Sequence, residues 1–412
     1  MTSTMISRNE FPYLQQLVIN DAYAVKNLTI PVFEAGNEFK HLILTGKNGS
    51  GKTTVLSELY HEMIGNPKPA KMRQSLELGV ILADKNETKE EYKNMLRDIS
   101  KVVPIFSSAI ESNLIEAPSR SEAIMPFFEA FRQMQVKDVR GVANNQKLDD
   151  QIRDVNNKNQ VSELFKQYLV NKKISQAFAV IKGDKKMVNL NDVFFNNLDM
   201  LFSRILGDEN VKLEFYSDDF EFFFVYSDGR RVTFNQLSAG FSSFIGILND
   251  LLMRTDLLRR QANDYTYNPC GFVLIDEPET HLHLEMQYQI LPLLTNLFPN
   301  LQFIVATHSP AVASSITNAT VFDLSSGKMA GDEAAGSSFS ELMQTHFGVE
   351  NEYSNVADGI LEQIDMISAL ADRSEALRQL QKLFEEKGRY MSPVLKLDVQ
   401  AQLRRLEREQ AA

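Results

Sequence analysis

Residues 42–54 read LILTGKNGSGKTT, and this stretch constrains the fold more than any other part of the chain. An apolar strand runs into a loop with the spacing G-x-x-x-x-G-K-T, and a helical pattern begins at Val55. A strand, a glycine-rich loop and a helix in that order predict a phosphate-binding loop, because the glycines let successive N–H groups curl around a phosphate. The residues expected at the phosphate are Gly46, Lys47, Asn48, Gly49, Ser50, Gly51, Lys52, Thr53 and Thr54.

Two later strands end in polar side chains. The run FVLIDE, residues 272–277, is apolar until it reaches Asp276 and Glu277, and the run LQFIVATHSP delivers His308 at its end. Ligands bind at the carboxyl ends of strands in an α/β sheet. We therefore expect both carboxylates and the histidine to lie beside the phosphate loop.

A second anion site is predicted where QLSAGFSS, residues 236–243, opens an amphipathic helix. Ser238 is a natural N-cap, and Gly240 allows close approach of another backbone. The free N–H groups at a helix start attract anions. The chain thus carries two predicted phosphate-binding elements. The glycine-rich loop alone would suffice to bind one phosphate group, so the second element needs another explanation.

These motifs together resemble those of the ABC-type ATPase superfamily. The match comprises Walker A at 46–53, the signature at 237–241, Walker B at 272–277, a D-loop-like PETHLH at 278–283 and the switch histidine, His308. The resemblance implies an α/β P-loop NTPase of ABC type, with a mixed sheet, helical insertions and a C-terminal helical tail. It also implies ATP and Mg²⁺ as ligands, and a homodimer or higher homo-oligomer in which each signature caps the ATP of the facing subunit.

The resemblance further assigns a role to each site residue. Glu277 and His308 would be catalytic, the first polarising the attacking water and the second sensing the γ-phosphate. Thr53 and Asp276 would hold Mg²⁺. The signature residues that would act on the facing subunit are Leu237, Ser238, Ala239 and Gly240.

Several features separate the chain from transporter subunits. The signature reads LSAGF, 186 positions separate Lys52 from Ser238, and DEPETHLHLE is similar to the wording of RecF, SMC-like and OLD-type ATPases. The sequence after His308 contains no Toprim nuclease pattern, unlike that of OLD nucleases. The chain also lacks the long heptad run of an SMC coiled coil. The chain resembles the stand-alone ATPases of anti-phage operons, such as PtuA of Septu systems and the ATPases beside retrons. That likeness implies a separate effector encoded nearby, such as a nuclease. The alternatives are a RecF-like DNA-repair ATPase and a non-catalytic scaffold switched by ATP.

Net charge and cysteine content limit the partners and the compartment that the sequence predicts. The net charge is −11, but residues 132–187 carry +6 and the remainder −17. That segment is a solvated helical surface or a docking face for nucleic acid or an acidic partner. The single cysteine, Cys270, and the lack of long apolar runs predict a cytoplasmic protein that does not bind membranes.

The motifs also divide the chain into segments. The adenine-stacking residue is Tyr23 or Phe33, and Gln133 is the Q-loop candidate that would contact ATP. The predicted segments are the first core part at 1–64, a helical insertion at 65–122, a core strand and Q-loop at 123–133, a basic helical insertion at 134–205, the second core part at 206–330, and a linker with C-terminal helices at 331–412.

Overall fold

The computed structural model describes residues 5–64, 100–107, 123–132, 135–154, 161–329, 355–370, 372–388, 391 and 393–411. The chain divides into two compact units, residues 1–342 and residues 343–412. Among the described residues, no helix combines the length and the apolar character that crossing a membrane requires.

All strands among the described residues lie in the first unit. They are β1 (Leu14–Ala22), β2 (Val25–Pro31), β3 (His41–Thr45), β4 (Val102–Phe106), β5 (Phe127–Phe128), β6 (Lys212–Tyr216), β7 (Glu221–Val225), β8 (Arg231–Val232), β9 (Gly271–Asp276), β10 (Leu301–Ala306), β11 (Ala319–Asp323) and β12 (Lys328–Met329). The α-helices of this unit are α1 (Lys52–Met63), α2 (Asn145–Arg153), α3 (Phe165–Lys182), α4 (Lys185–Leu206), α5 (Ala239–Ala262), α6 (Leu284–Gln287), α7 (Ile290–Leu297) and α8 (Pro310–Ala313).

A six-stranded mixed sheet forms the centre of the first unit, in the order β12-β11-β3-β10-β9-β5. Strands β11, β3, β10, β9 and β5 are parallel, and β12 pairs antiparallel to β11. Every residue of β3, β9 and β10 is buried, which explains their continuous apolar runs. The predicted α/β class with a mixed sheet is confirmed.

The strand order places three predicted motifs side by side. Strand β10 lies between β3 and β9, and Ala306 of β10 pairs with Leu44 on one side and with Asp276 on the other. The three strands therefore end at the same level. The phosphate loop, the acidic pair and the switch histidine leave the sheet at one edge.

A second sheet corrects one of the predicted segments. Strand β4 pairs antiparallel with β1 in a three-stranded sheet ordered β2-β1-β4, although it falls within the predicted helical insertion at 65–122. The sequence of β4, VVPIF, begins with β-branched residues, and Val102 is buried in the same core as Leu56 and Leu59 of α1. Residues 65–99 and 108–122 of that segment lie outside the described residues.

The described residues of the second predicted insertion are mostly helical. The insertion contains α2, α3 and α4, and a small antiparallel sheet ordered β6-β7-β8 follows it. A turn at Asp228 and Gly229 joins β7 to β8.

The second unit consists of three helices in its described part. They are α9 (Asn355–Ser368), α10 (Arg373–Lys387) and α11 (Pro393–Ala411). They share a small apolar core that includes Ile364, Leu380 and Val399.

Candidate functional site

The phosphate loop runs from the end of β3 to the start of α1. Gly46, Gly49 and Gly51 all have positive φ, at 138°, 79° and 92°. At Gly46 a Cβ would lie 2.7 Å from the Ser325 hydroxyl and 2.7 Å from the Ser50 hydroxyl, so both serine side chains would have to move. The loop is therefore built on backbone conformations that other residues rarely adopt.

Lys52 lies inside this loop, and its side chain is 5% exposed. Its ammonium donates to the carbonyl of Gly46 at 2.7 Å and to that of Lys47 at 3.2 Å. Burial lowers the pKa of Lys52, and the carboxylates of Glu277 and Asp276 oppose that shift. The lysine and the acidic pair therefore act on one another electrostatically.

Asp276 ends β9 with a buried carboxylate. Neither of its side-chain oxygens has a hydrogen-bond partner within the described part of the chain, and the residue is 1% exposed. Burial raises the pKa of Asp276, and the nearby Thr53 hydroxyl opposes the shift. A buried carboxylate with free lone pairs beside a threonine hydroxyl fits a Mg²⁺ site, because Mg²⁺ takes oxygen ligands.

Glu277 and His308 face each other across the ends of β9 and β10. The Glu277 Oε1 and His308 Nε2 atoms are 3.7 Å apart. Both side chains are about one-third exposed, at 36% and 34%. Burial and the charge of Lys52 lower the pKa of His308, so the imidazole is mainly neutral at pH 7. A carboxylate and a neutral imidazole thus border the accessible side of the loop.

Glu279 is a site residue that the sequence did not single out. Its Oε1 accepts from the Thr307 hydroxyl at 2.7 Å and from the backbone N–H groups of His308 at 2.7 Å and Ser309 at 3.1 Å. Burial raises the pKa of Glu279, and the Thr307 hydrogen bond opposes the shift. Glu279 therefore fixes the turn that carries the switch histidine. Its position within PETHLH was the available signal.

The signature begins α5 as predicted, with Ser238 as the N-cap residue. Ser238 and Ala239 are exposed, and the Ser238 side chain makes no capping hydrogen bond with any described residue. Gly240 is buried against the D-loop, since a Cβ there would lie 2.3 Å from the carbonyl oxygen of His281. The start of α5 is thus held by its own chain and presents Ser238 outwards.

The two candidates for stacking on adenine, Tyr23 and Phe33, differ in exposure. Tyr23 is 71% exposed in the turn between β1 and β2, at φ 60°. That turn touches the phosphate loop, because a Cβ at Gly51 would lie 3.4 Å from the carbonyl oxygen of Ala22. Phe33 instead packs against the core. Tyr23 is thus the more exposed of the two rings, and its turn lies beside the phosphate loop. Gln133 lies outside the described residues.

Several cations of the basic segment 132–187 are paired with other parts of the protein. Lys172 contacts Asp256 at 3.0 Å with side-chain exposures of 15% and 10%, and Lys166 contacts Glu221 at 2.5 Å. Lys173 stacks over the ring of Phe195 at 3.7 Å. Further pairs in this segment are Lys137 with Glu163 and Arg153 with Asp150. Lys166, Lys172 and Lys173 are therefore not free surface charges, and a docking face in 132–187 would have to use exposed cations such as Lys182, Lys185 and Lys186.

Comparison with known proteins gives one family match. Residues 128–314 match the family described as "AAA domain, putative AbiEii toxin, Type IV TA system". That span includes the signature, the acidic pair and the switch histidine.

Individual relatives match shorter or more distant stretches. The chain is 37% identical over 94 residues to the retron Vc95 probable ATPase of Vibrio cholerae, which covers 23% of this chain and 18% of the relative. It is 24% identical over 314 residues to the Septu protein PtuA of Bacillus thuringiensis, which covers 72% of each chain. The crystal structure of the Pyrococcus furiosus Smc head domain bound to a domain of ScpA aligns at a TM-score of 0.40 and 13% identity, over 79% of this chain and 98% of that chain. The resemblance to ABC-type ATPases, and to those of retron and Septu systems in particular, is confirmed.

Proposed function

We propose that the chain binds and hydrolyses ATP with Mg²⁺ at the edge where β3, β9 and β10 end. The observation that carries the proposal is the convergence of Lys52, the Asp276–Glu277 pair and His308 at that edge. Lysine, two adjacent carboxylates and a histidine match the needs of phosphoryl transfer to water, which are charge neutralisation, metal binding and orientation of the nucleophile.

Each residue has a specific task in this proposal. The N–H groups of the loop and the Lys52 ammonium bind the phosphates. Thr53 and Asp276 hold Mg²⁺, which neutralises phosphate charge when bound. Glu277 lies within reach of His308 and orients the attacking water, and His308 contacts the γ-phosphate.

Two copies would complete two sites. Ser238 and Ala239 are exposed at the start of a 24-residue helix, with no acidic residue in the first turn. N–H groups at such a terminus would cap the γ-phosphate bound by a second copy. The active species is therefore a homodimer or a multiple of it.

The relatives suggest the biological role. We place the chain among ATPases of anti-phage defence, where it would regulate or scaffold a separate effector such as a nuclease. This proposal is based on what the retron and Septu relatives are named. The segment that matches the retron Vc95 probable ATPase covers only 18% of that protein.

The DNA-binding alternative retains one specific feature. Lys182, Lys185 and Lys186 are exposed where α3 turns into α4. Phosphate contacts by these lysines would make DNA binding steeply salt-dependent. Under this alternative, replacing all three lysines with Glu would abolish a salt-sensitive DNA complex. Under the effector proposal, DNA binding would be negligible both before and after the replacement.

Hydrolysis and nucleotide binding test the ATPase proposal. Glu277→Gln should lower kcat by about 100-fold to 10,000-fold and retain ATP binding. Lys52→Ala should weaken binding itself, and the exposed Lys186→Ala is the matched control. Binding without turnover in the unmodified protein, alone and with its partner, would favour the ATP-switched scaffold. Absence of both would refute the proposal.

Tyr23 provides a separate test of how the nucleotide base is held. Tyr23→Ala should weaken ATP binding by roughly 1 kcal/mol, or about fivefold, through loss of ring stacking. Phe33→Ala should lower the unfolding midpoint instead, because Phe33 packs on the core. Unchanged ATP affinity in Tyr23→Ala would assign the base to another surface.

A further inference from the structure

Arg132 joins the exits of two neighbouring strands. It follows β5, and its guanidinium lies at the end of β9. One terminal nitrogen donates to the carbonyl of Asp276 at 2.6 Å and to that of Glu129 at 2.9 Å. The other donates to the carbonyl of Glu277 at 2.9 Å. The rigid guanidinium fork therefore holds two consecutive carbonyls of the acidic pair against the segment that follows β5.

The turn that Arg132 holds has an unusual backbone. Glu277 has φ 48°, a left-handed conformation that a residue other than glycine adopts rarely. Its N–H donates to Ala306 at 2.8 Å, and its carbonyl also accepts from the backbone N–H and hydroxyl of Thr280, at 3.2 Å and 2.8 Å. The surroundings over-determine this conformation, which points the Glu277 carboxylate towards His308.

The charge of Arg132 suits this place. Burial lowers the pKa of Arg132 to about 10, and the carboxylates of Glu279, Asp276 and Glu277 oppose that shift. The guanidinium stays protonated at neutral pH and lies among three acidic groups. Its Nε atom is buried with no hydrogen-bond partner among the described residues. An uncharged side chain at this position would leave Lys52 as the remaining cation that acts on those acidic groups.

We propose that Arg132 is a positioning residue for ATP hydrolysis, which holds the backbone after β9 so that the Glu277 carboxylate faces His308 and the phosphate loop. This role rests on the proposed ATPase function. Arg132 acts through Glu277 and through main-chain carbonyls. Its removal should therefore impair turnover more than nucleotide binding.

The first experiment separates kcat from KM. Arg132→Ala should lower kcat for ATP roughly 10-fold to 100-fold and change KM by no more than about threefold, because a small displacement of a reacting group costs rate rather than binding. Arg132→Lys keeps the charge and loses the fork, so it should lie between Arg132→Ala and the unmodified protein. Arg140→Ala, an exposed arginine of the same segment, is the control and should match the unmodified protein.

Chemical rescue distinguishes positioning from a general loss of structure. Guanidinium ion at non-denaturing concentration should restore part of the activity of Arg132→Ala, and it should not restore Glu277→Gln. Hydrogen exchange supplies a readout that needs no turnover. The amides of Glu277, Thr280 and Leu282 should exchange faster in Arg132→Ala than in Arg140→Ala, since the first variant loses a tie on that turn.

The outcomes separate the two proposals. If the unmodified protein hydrolyses ATP and Arg132→Ala retains its kcat, the assignment of Arg132 is wrong and the ATPase proposal stands. A parallel fall in kcat and ATP affinity without guanidinium rescue would also overturn the positioning role. If the unmodified protein neither binds nor hydrolyses ATP, the proposed function fails and the role of Arg132 fails with it.

Discussion

Replacing Lys172 with alanine should destabilise the protein, because this lysine belongs to a buried ion pair. Lys172 on α3 contacts Asp256 of the signature helix α5 at 3.0 Å, and the two side chains are 15% and 10% exposed. The Lys172 ammonium also lies 4.5 Å from the centre of the Phe194 ring. The contact joins the helical insertion to the signature helix.

The expected magnitude follows from what remains after the change. Burial alone would raise the pKa of Asp256, but Lys172 and Arg260 outweigh burial and the pKa is lowered. Breaking a buried pair costs about 3–5 kcal/mol when the remaining charge is uncompensated. Arg260 still donates to Asp256 at 3.0 Å, so the charge keeps one partner. We therefore expect a loss of about 2–3 kcal/mol, close to the value of one charged hydrogen bond.

Urea unfolding at neutral pH measures this loss. Lys172→Ala should shift the midpoint to lower urea, and the exposed Lys186→Ala should stay within about 0.5 kcal/mol of the unmodified protein. Equal midpoints for the two variants would mean that Lys172 is solvated. The lysine would then again be available to bind a nucleic-acid phosphate.

Two other predictions concern the signature glycine and a buried histidine. Gly240→Ala should reduce ATP turnover and should lower stability by about 1–3 kcal/mol, because the new Cβ would lie 2.3 Å from the His281 carbonyl oxygen. The control is Gly141→Ala, whose Cβ meets no described heavy atom within 4 Å. It should leave the ATPase rate and the urea midpoint unchanged. Burial lowers the pKa of His41 to about 4, and its Nδ1 accepts from the Phe303 N–H at 3.0 Å. The unfolded chain therefore binds a proton at His41 more readily than the folded chain does. Stability should fall as pH drops from about 6.5 towards 4, by up to about 1.4 kcal/mol per pH unit. The urea midpoint of His41→Gln should fall less over that range, and an equal fall would contradict the assignment of this pH dependence to His41.

The motif-bearing strands were predictable because their signals are local. A fully apolar run followed by glycines and a lysine predicts β3, its loop and α1 within a few residues of sequence. The apolar runs that precede Asp276 and His308 predict β9 and β10 in the same way. Parallel strands that bind a ligand at one edge then imply that the motifs meet, and the pairing of β10 with both β3 and β9 bears this out.

Contacts between distant segments were not predictable from those patterns. Its position places Arg132 in the basic segment, yet its guanidinium binds carbonyls about 145 positions further along the chain, at Asp276 and Glu277. The sequence also presents Lys172 as one more charge of that segment, whereas in the structure it pairs with Asp256 and both side chains are largely buried. Sequence reports charge but not which charges are paired. Strand β4 was missed because a short strand adjoining a helical segment shows its partner only in the fold.

The shared composite site is the central claim, and mixing two inactive variants tests it most directly. Lys52→Ala should disable the phosphate loop, and Ser238→Arg should block the signature that caps the ATP of the facing copy. Each variant alone should be inactive. Mixed dimers would contain one intact site, formed by the loop of the Ser238→Arg copy and the signature of the Lys52→Ala copy. Random exchange should therefore restore up to about a quarter of the unmodified ATPase rate. A mixture as inactive as its components, with subunit exchange verified, would contradict the claim that the signature acts on a neighbouring copy.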